Sequence, residues 1–210
     1  MKLYHSTSSP NSRRVRIFVA EKGISLPLQP VNLGEKEQFS DWFKAINQRQ
    51  QVPALVLDDG TTVAEVPAIW RFLEETYPER PLLGGDATSK ALVTMWERRA
   101  ELDGFAPTME GVRNAAAGLK GRALSGPHDY DQIPGLVERS KRRVADFYAD
   151  LEARLEEAPF VAGAAFSAAD ITALVTVDFA TAALKMPIPD GSHAVQRWYE
   201  KVAARPSASA

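Results

Sequence analysis

One short stretch constrains the fold more than any other. It runs from Val52-Pro53 through an apolar Ala54-Leu55-Val56-Leu57 and an Asp58-Asp59-Gly60 turn to Thr61-Thr62-Val63, and Glu65 follows. A valine before proline is biased to extended backbone, and the bond between them can be cis. A cis bond there turns a strand end outward and leaves its main-chain groups free for a peptide-like ligand. The two apolar segments read as an antiparallel hairpin closed at Asp59-Gly60, and Glu65 opens a helix.

The segments before this hairpin complete a small sheet. Lys2 to Tyr4 reads as a strand. Arg14 to Lys22 reads as a helix, with Val15, Phe18 and Val19 at helical spacing after the turn formers Ser9-Pro10-Asn11-Ser12. Leu26 to Leu33 reads as a second strand, and a short helix carries Phe39, Trp42 and Phe43. Pro67 to Tyr77 is the third helix. The order βαβ-α-ββ-α predicts an α/β domain around a mixed four-stranded sheet with helical cover, over residues 1–79.

Residues 80–87 form a linker, because the prolines and glycines of Pro78-Glu79-Arg80-Pro81-Leu82-Leu83-Gly84-Gly85 break any helix. From 88 to 210 the chain reads as an all-α domain. One helix from about Thr88 is expected to bury Leu92, Met95, Trp96 and Leu102. Another from about Ile133 is expected to bury Val137, Val144, Phe147, Leu151 and Leu155. Ser167-Ala168-Ala169-Asp170 fits a capping box, with Phe166 as its staple.

Composition excludes several function classes. The chain has no cysteine, so it forms no disulfide, presents no protein thiolate and has no CxxC redox or zinc site. A net charge of -2 argues against a nucleic-acid partner, and the basic clusters at Arg13-Arg14-Arg16 and Arg139 to Arg143 read as solvated helix faces. No apolar run approaches the ~18 residues that span a bilayer, and the N-terminus lacks the pattern of a signal peptide. A cytoplasmic protein without membrane contact is expected.

Over nearly its whole length the chain resembles a cytosolic glutathione transferase. The resemblance rests on Ser9-Pro10-Asn11-Ser12-Arg13-Arg14-Val15-Arg16 with Ala20-Glu21-Lys22-Gly23, on Val52-Pro53-Ala54-Leu55, and on Glu65 with Ala68-Ile69. Phe160-Val161-Ala162-Gly163 and Phe166 to Ile171 extend it into the helical half. It implies a thioredoxin-like first domain that binds glutathione as co-substrate and a helical domain that shapes a second site. It further implies a homodimer and no metal.

In this reading the Val52 main chain, before Pro53, pairs with the ligand's cysteinyl segment, and Glu65 meets the γ-glutamyl ammonium. Gln51 and Lys36 are candidates for the glycyl carboxylate. The thiolate is stabilised by Ser9 or Asn11, or else by a backbone N–H or water. Phe105, Met109, Val112, Arg113 and Asn114 would line the second-substrate pocket. Two departures stand out: Val66 replaces the usual Ser or Thr after Glu65, which removes a hydroxyl donor to the γ-glutamyl carboxylate, and the Val66 N–H at the helix start can still serve. Gln48 and Gln50 stand where the family tends to have Pro and Gly.

The expected reaction is conjugation of the glutathione thiolate to a small, largely apolar electrophile. The rivals are a glutathione-dependent isomerase or dehalogenase of a specific metabolite, and a non-catalytic transferase-fold binding or regulatory protein.

Overall fold

The computed structural model describes residues 1–210. The chain divides into two compact units. The first comprises Met1–Pro81 with Ser125–Pro127 and Ser209–Ala210, and the second comprises Leu82–Leu124 and His128–Ala208.

In the first unit, strands β1 (Lys2–His5), β2 (Leu28–Pro30), β3 (Ala54–Val56) and β4 (Thr62–Ala64) form a four-stranded sheet in the order β2-β1-β3-β4. β1 runs parallel to β2 and antiparallel to β3, so Leu3 lies opposite both Leu28 and Leu55. This is the mixed α/β sheet expected from the element order. β2 is shorter than the expected Leu26 to Leu33. Its edge position and the prolines before it and at its end explain this, because neither Pro27 nor Pro30 has an N–H to donate to a ladder.

Helix α1 (Pro10–Lys22) begins four residues before the expected Arg14. Ser9 caps it, and Pro10 takes the first helical position, where a missing N–H costs nothing. Gly23, at φ 69°, ends it with its N–H on the Ala20 carbonyl. The short α2 (Asp41–Ile46) and the longer α3 (Val66–Thr76) complete the unit.

Between α1 and α3, Phe18 stacks on Trp70 at 5.4 Å and the buried Arg14 guanidinium lies 5.1 Å from the same indole. At the far end of α1, Lys22 donates to Glu74 at 2.7 Å and to the carbonyls of Glu79 and Arg80. A second cluster of Val31, Phe43 and Val52, with Tyr4 packed against it, seats the segment before Pro53.

The second unit is all helical. A long helical run is made of α4 (Ala87–Arg99), a π-helical segment (Ala100–Phe105) and α5 (Ala106–Ala115). It is followed by α6 (Pro134–Glu157), α7 (Ala168–Phe179), a further π segment (Ala180–Leu184) and α8 (His193–Ala203). Inside the first π segment, a Cβ on Gly104 would lie 2.8 Å from the Phe147 ring, so glycine is what lets this run meet α6.

The buried face of α4 and the π segment after it is not the expected one. Leu92, Met95 and Leu102 are 42%, 39% and 47% exposed, whereas Val93, Glu97 and Ala100 point inward. Periodicity alone did not separate these faces, because the inward one includes a carboxylate. Thr172 on α7 satisfies Glu97 at 3.0 Å. α6 buries Val144, Phe147, Leu151 and Leu155 as expected, while Val137 is only half-buried.

Side-chain carboxylates close three helix N-termini in this unit. Asp86 caps α4 through the Ser89 N–H, and Ser167 with Asp170 forms the expected capping box on α7. Glu152, reaching from α6, accepts the N–H groups of Ala194 and Val195 at 2.8 Å each, at the start of α8. Phe166, expected as a staple, packs edge-on against Phe160 at 6.1 Å.

Candidate active site

In the first unit, main-chain groups without partners gather at three places. The first is the N-terminus of α1. Ser9 Oγ accepts the Ser12 N–H at 3.2 Å and is itself buried, so this side chain serves as the cap. Pro10 has no N–H, and the Asn11 N–H has no partner. The half-buried Asn11 side chain accepts from Arg14 Nη1 through Oδ1 at 3.1 Å. Guanidinium only donates, so it must face the amide oxygen, and Asn11 Nδ2 is left as an unengaged donor. Arg14 thus orients Asn11 by an i,i+3 contact, a role the sequence signals only through spacing.

The second place is Val52, whose bond to Pro53 is cis. No hydrogen bond engages the Val52 N–H or carbonyl. A peptide laid alongside could pair with both, as an added strand does.

The third place is the start of α3. Glu65, at φ 69° and ψ 129°, is the residue before the helix, and its side chain makes no capping bond. Its carbonyl takes the N–H groups of Ala68 and Ile69, and Pro67 has none to give. The Val66 N–H remains open. The Glu65 carboxylate faces solvent 3.7 Å from Arg49 Nε. Arg49 was not among the residues expected from sequence. It sits within Asn47-Gln48-Arg49-Gln50-Gln51, the stretch that departs from the family pattern.

Of the two candidates for a glycyl carboxylate, Lys36 is exposed and its ammonium has no partner, on a left-handed residue at φ 58°. Gln51 donates through Nε2 to Ser125 Oγ at 2.8 Å and keeps its oxygen free.

The residues expected to line a second-substrate pocket all lie in the second unit. Phe105 ends the first π segment and is buried, while Met109 and Val112 on α5 are half-buried. Arg113 donates to the carbonyls of Arg122, Ala123 and Leu124, holding the connection that follows α5. Asn114 is buried; it accepts the Ile133 N–H and donates to the Glu110 carbonyl. These two side chains therefore organise the 116–133 segment with their polar atoms already committed. The same unit has a cleft of about 400 Å³ between α4 and α6, floored by Phe147, Leu151 and Val161 with Trp96 in its wall. None of the five residues lines it.

Chemically, the first unit offers N–H donors at two helix N-termini, a strand-like edge and an exposed carboxylate. Helix N-termini favour anions. The set suits an extended peptide with charged ends.

Comparison with known proteins gives this arrangement a lineage. Residues 3–81 match the model of the glutathione S-transferase N-terminal domain, and residues 134–201 match that of the C-terminal domain. Glutathione S-transferase 2 of Saccharomyces cerevisiae is 32% identical over 99% of this chain and 87% of its own length. A glutathione S-transferase domain-containing protein of Marinobacter aquaeolei superposes with a TM-score of 0.90 at 33% identity, covering 99% of both chains. The maleylpyruvate isomerase of a Ralstonia species is 44% identical over a shorter stretch, 44% of this chain and 43% of that protein. Family models in both units and a relative spanning nearly the full length lead to one conclusion: the chain belongs to the glutathione S-transferase family.

Proposed function

We propose that this chain conjugates the thiolate of glutathione to a small, largely apolar electrophile. The observation that carries the reading is the open N-terminus of α1, where the Asn11 N–H and the Arg14-oriented Asn11 amide have no other partner. Glutathione's thiol ordinarily ionises near pH 8.5, and holding it as thiolate two units lower takes about 2.7 kcal/mol. One or two hydrogen bonds to the charged sulfur, at about 1.5–3 kcal/mol each, meet that requirement. Asn11 is the donor in this proposal, and Ser9 shapes the turn that presents it. Val52 pairs with the cysteinyl segment, Glu65 takes the γ-glutamyl ammonium, and Lys36 and the Gln51 oxygen meet the glycyl carboxylate.

Catalysis then consists of proximity and a lowered thiol pKa. The exposed apolar residues Leu92, Met95 and Leu102 on the α4 run support a homodimer through that face. The second reading, a glutathione-dependent isomerase, is favoured by the 44% identity to the maleylpyruvate isomerase. It calls for a cation for an anionic substrate, and Arg113 is already engaged by three carbonyls.

The test is calorimetric titration of glutathione into the protein, with ultraviolet absorbance of bound thiolate followed from acid to neutral pH. Saturable binding with thiolate persisting well below pH 8.5, and turnover of an apolar electrophile panel, is the expected result. Binding with turnover only of a carboxylated cis-alkene moves the assignment to isomerase. Binding without turnover moves it to a ligand-binding protein, and no binding at millimolar glutathione overturns it.

A further inference from the structure

We infer that Arg49 is a binding residue for the α-carboxylate of the γ-glutamyl end of glutathione, standing in for the hydroxyl that Val66 lacks. The inference rests on the glutathione reading and names a residue that reading does not use.

The γ-glutamyl end of the ligand carries an ammonium and a carboxylate on one carbon, so its receptor must present an anion and a cation side by side. Glu65 and Arg49 do so: Glu65 Oε1 lies 3.7 Å from Arg49 Nε, and both side chains are 66% exposed. At that distance the contact is an ion pair without a hydrogen bond, and neither terminal nitrogen of the guanidinium has a partner. Such an exposed pair is cheaply opened. A bound zwitterion replaces it with two charge-assisted contacts, ammonium to Glu65 and carboxylate to the planar fork of Arg49.

The start of α3 shows why a second donor is needed. Pro67 has no N–H, and the N–H groups of Ala68 and Ile69 are taken by the Glu65 carbonyl. Only the Val66 N–H is left for a carboxylate, whose two oxygens accept several hydrogen bonds. The backbone of Arg49 is held independently of its side chain. The buried Asn47 accepts the Arg49 N–H at 3.0 Å through Oδ1 and donates to the Gln51 carbonyl at 2.8 Å, and Gln50 turns the chain at φ 55°. The stretch that departs from the family pattern therefore carries a fixed turn with a cation at its tip.

The test pairs a variant with a truncated ligand. Glutathione and 4-aminobutanoyl-cysteinyl-glycine, which lacks only the α-carboxylate, are titrated into wild type, Arg49→Gln and Arg49→Lys. Wild type is expected to bind the truncated peptide more than about tenfold more weakly than glutathione, a loss of the Arg49 contact together with that of the Val66 N–H. Arg49→Gln should lose about tenfold for glutathione and nothing further for the truncated peptide, with Arg49→Lys in between. Equal losses for both peptides overturn the inference, as does tighter binding by Arg49→Gln, which would make Arg49 a competitor for Glu65. Failure of wild type to bind glutathione at all defeats the glutathione reading itself. Unchanged thermal unfolding of Arg49→Gln separates loss of contact from loss of fold.

Discussion

Helices α4, α7 and α8 of the helical unit begin in the opposite way to α1 and α3 of the first unit, while α6 starts without a side-chain cap and α2 is capped by Ser40. In the helical unit, α4, α7 and α8 each begin against a carboxylate from Asp86, Asp170 or Glu152. In the first unit, α1 and α3 have no acidic residue in their first turns, and each leaves a main-chain N–H without a partner. A closed terminus satisfies backbone donors and complements the helix dipole, so it contributes stability. An open one leaves the same donors and the same dipole for a ligand anion. Identical backbone physics thus serves folding at α4, α7 and α8 and, on our reading, recognition of glutathione at α1 and α3.

The largest test of this contrast is Asp170→Ala. The Asp170 carboxylate is fully buried and accepts four hydrogen bonds, from the N–H groups of Val161 and Ser167, the Ser167 hydroxyl and Trp198 Nε1. Burial pushes its pKa above the ordinary carboxylate value even against those bonds. Removing the carboxylate strands several buried donors, each costing about 1–3 kcal/mol, so a total loss of roughly 3–5 kcal/mol is expected in urea unfolding. A loss below about 1 kcal/mol would show that the box is no more than an ordinary cap.

Next in size is the open terminus of α1. Asn11→Ala should raise the pKa of bound glutathione by about one unit, a cost near 1.4 kcal/mol and about fivefold slower conjugation at pH 6.5. Ser9→Ala should instead lower stability by about 1 kcal/mol through loss of the cap and move the thiol less. If Ser9→Ala carries the larger thiol shift, the hydroxyl is the donor and α1 is opened by Ser9 rather than by Asn11.

The third test is the closure of α8 and its pH dependence. Burial raises the Glu152 pKa, but the N–H groups of Ala194 and Val195, with Arg197 and His193 nearby, outweigh it and hold the pKa below the ordinary value of 4.5. A carboxyl depressed in the folded state contributes stability that is fully present above its unfolded pKa and is lost as pH falls through its folded one. Glu152→Gln should therefore cost about 1 kcal/mol at pH 7, a cap-sized effect, with the gap to wild type narrowing below pH 4.5. A gap that does not change with pH would mean the carboxylate acts by shape and not by charge.

Much of this contrast was legible in the sequence. Ser167-Ala168-Ala169-Asp170 announced its own capping box, and Val52-Pro53 with Glu65 marked the edge and the helix start. The roles of Arg14 and Arg49 were not legible, because each depends on which atom of a neighbour it meets: the Asn11 oxygen in one case and the Glu65 carboxylate in the other. The closure of α8 was hidden for a different reason. Its cap comes from Glu152, forty-two residues upstream, and no local signal links the two. The face of α4 was misread because a buried carboxylate, Glu97, breaks the apolar periodicity that a helix wheel relies on.

The smallest test is Val66→Thr, and it probes the open terminus of α3 from the ligand's side. Val66 is buried, so an isosteric threonine keeps the volume while restoring a hydroxyl at the position where the family tends to have one. If the γ-glutamyl carboxylate lies at the Val66 N–H, the new donor should tighten glutathione binding a few-fold, corresponding to about 0.5–1 kcal/mol. The gain should shrink when Arg49 is present and grow in the Arg49→Gln background, because two donors compete for one carboxylate. Equal gains in both backgrounds would place the carboxylate out of reach of Arg49. No gain in either would mean that the terminus of α3 is open for some reason other than this ligand, and the contrast between the units would then rest on α1 alone.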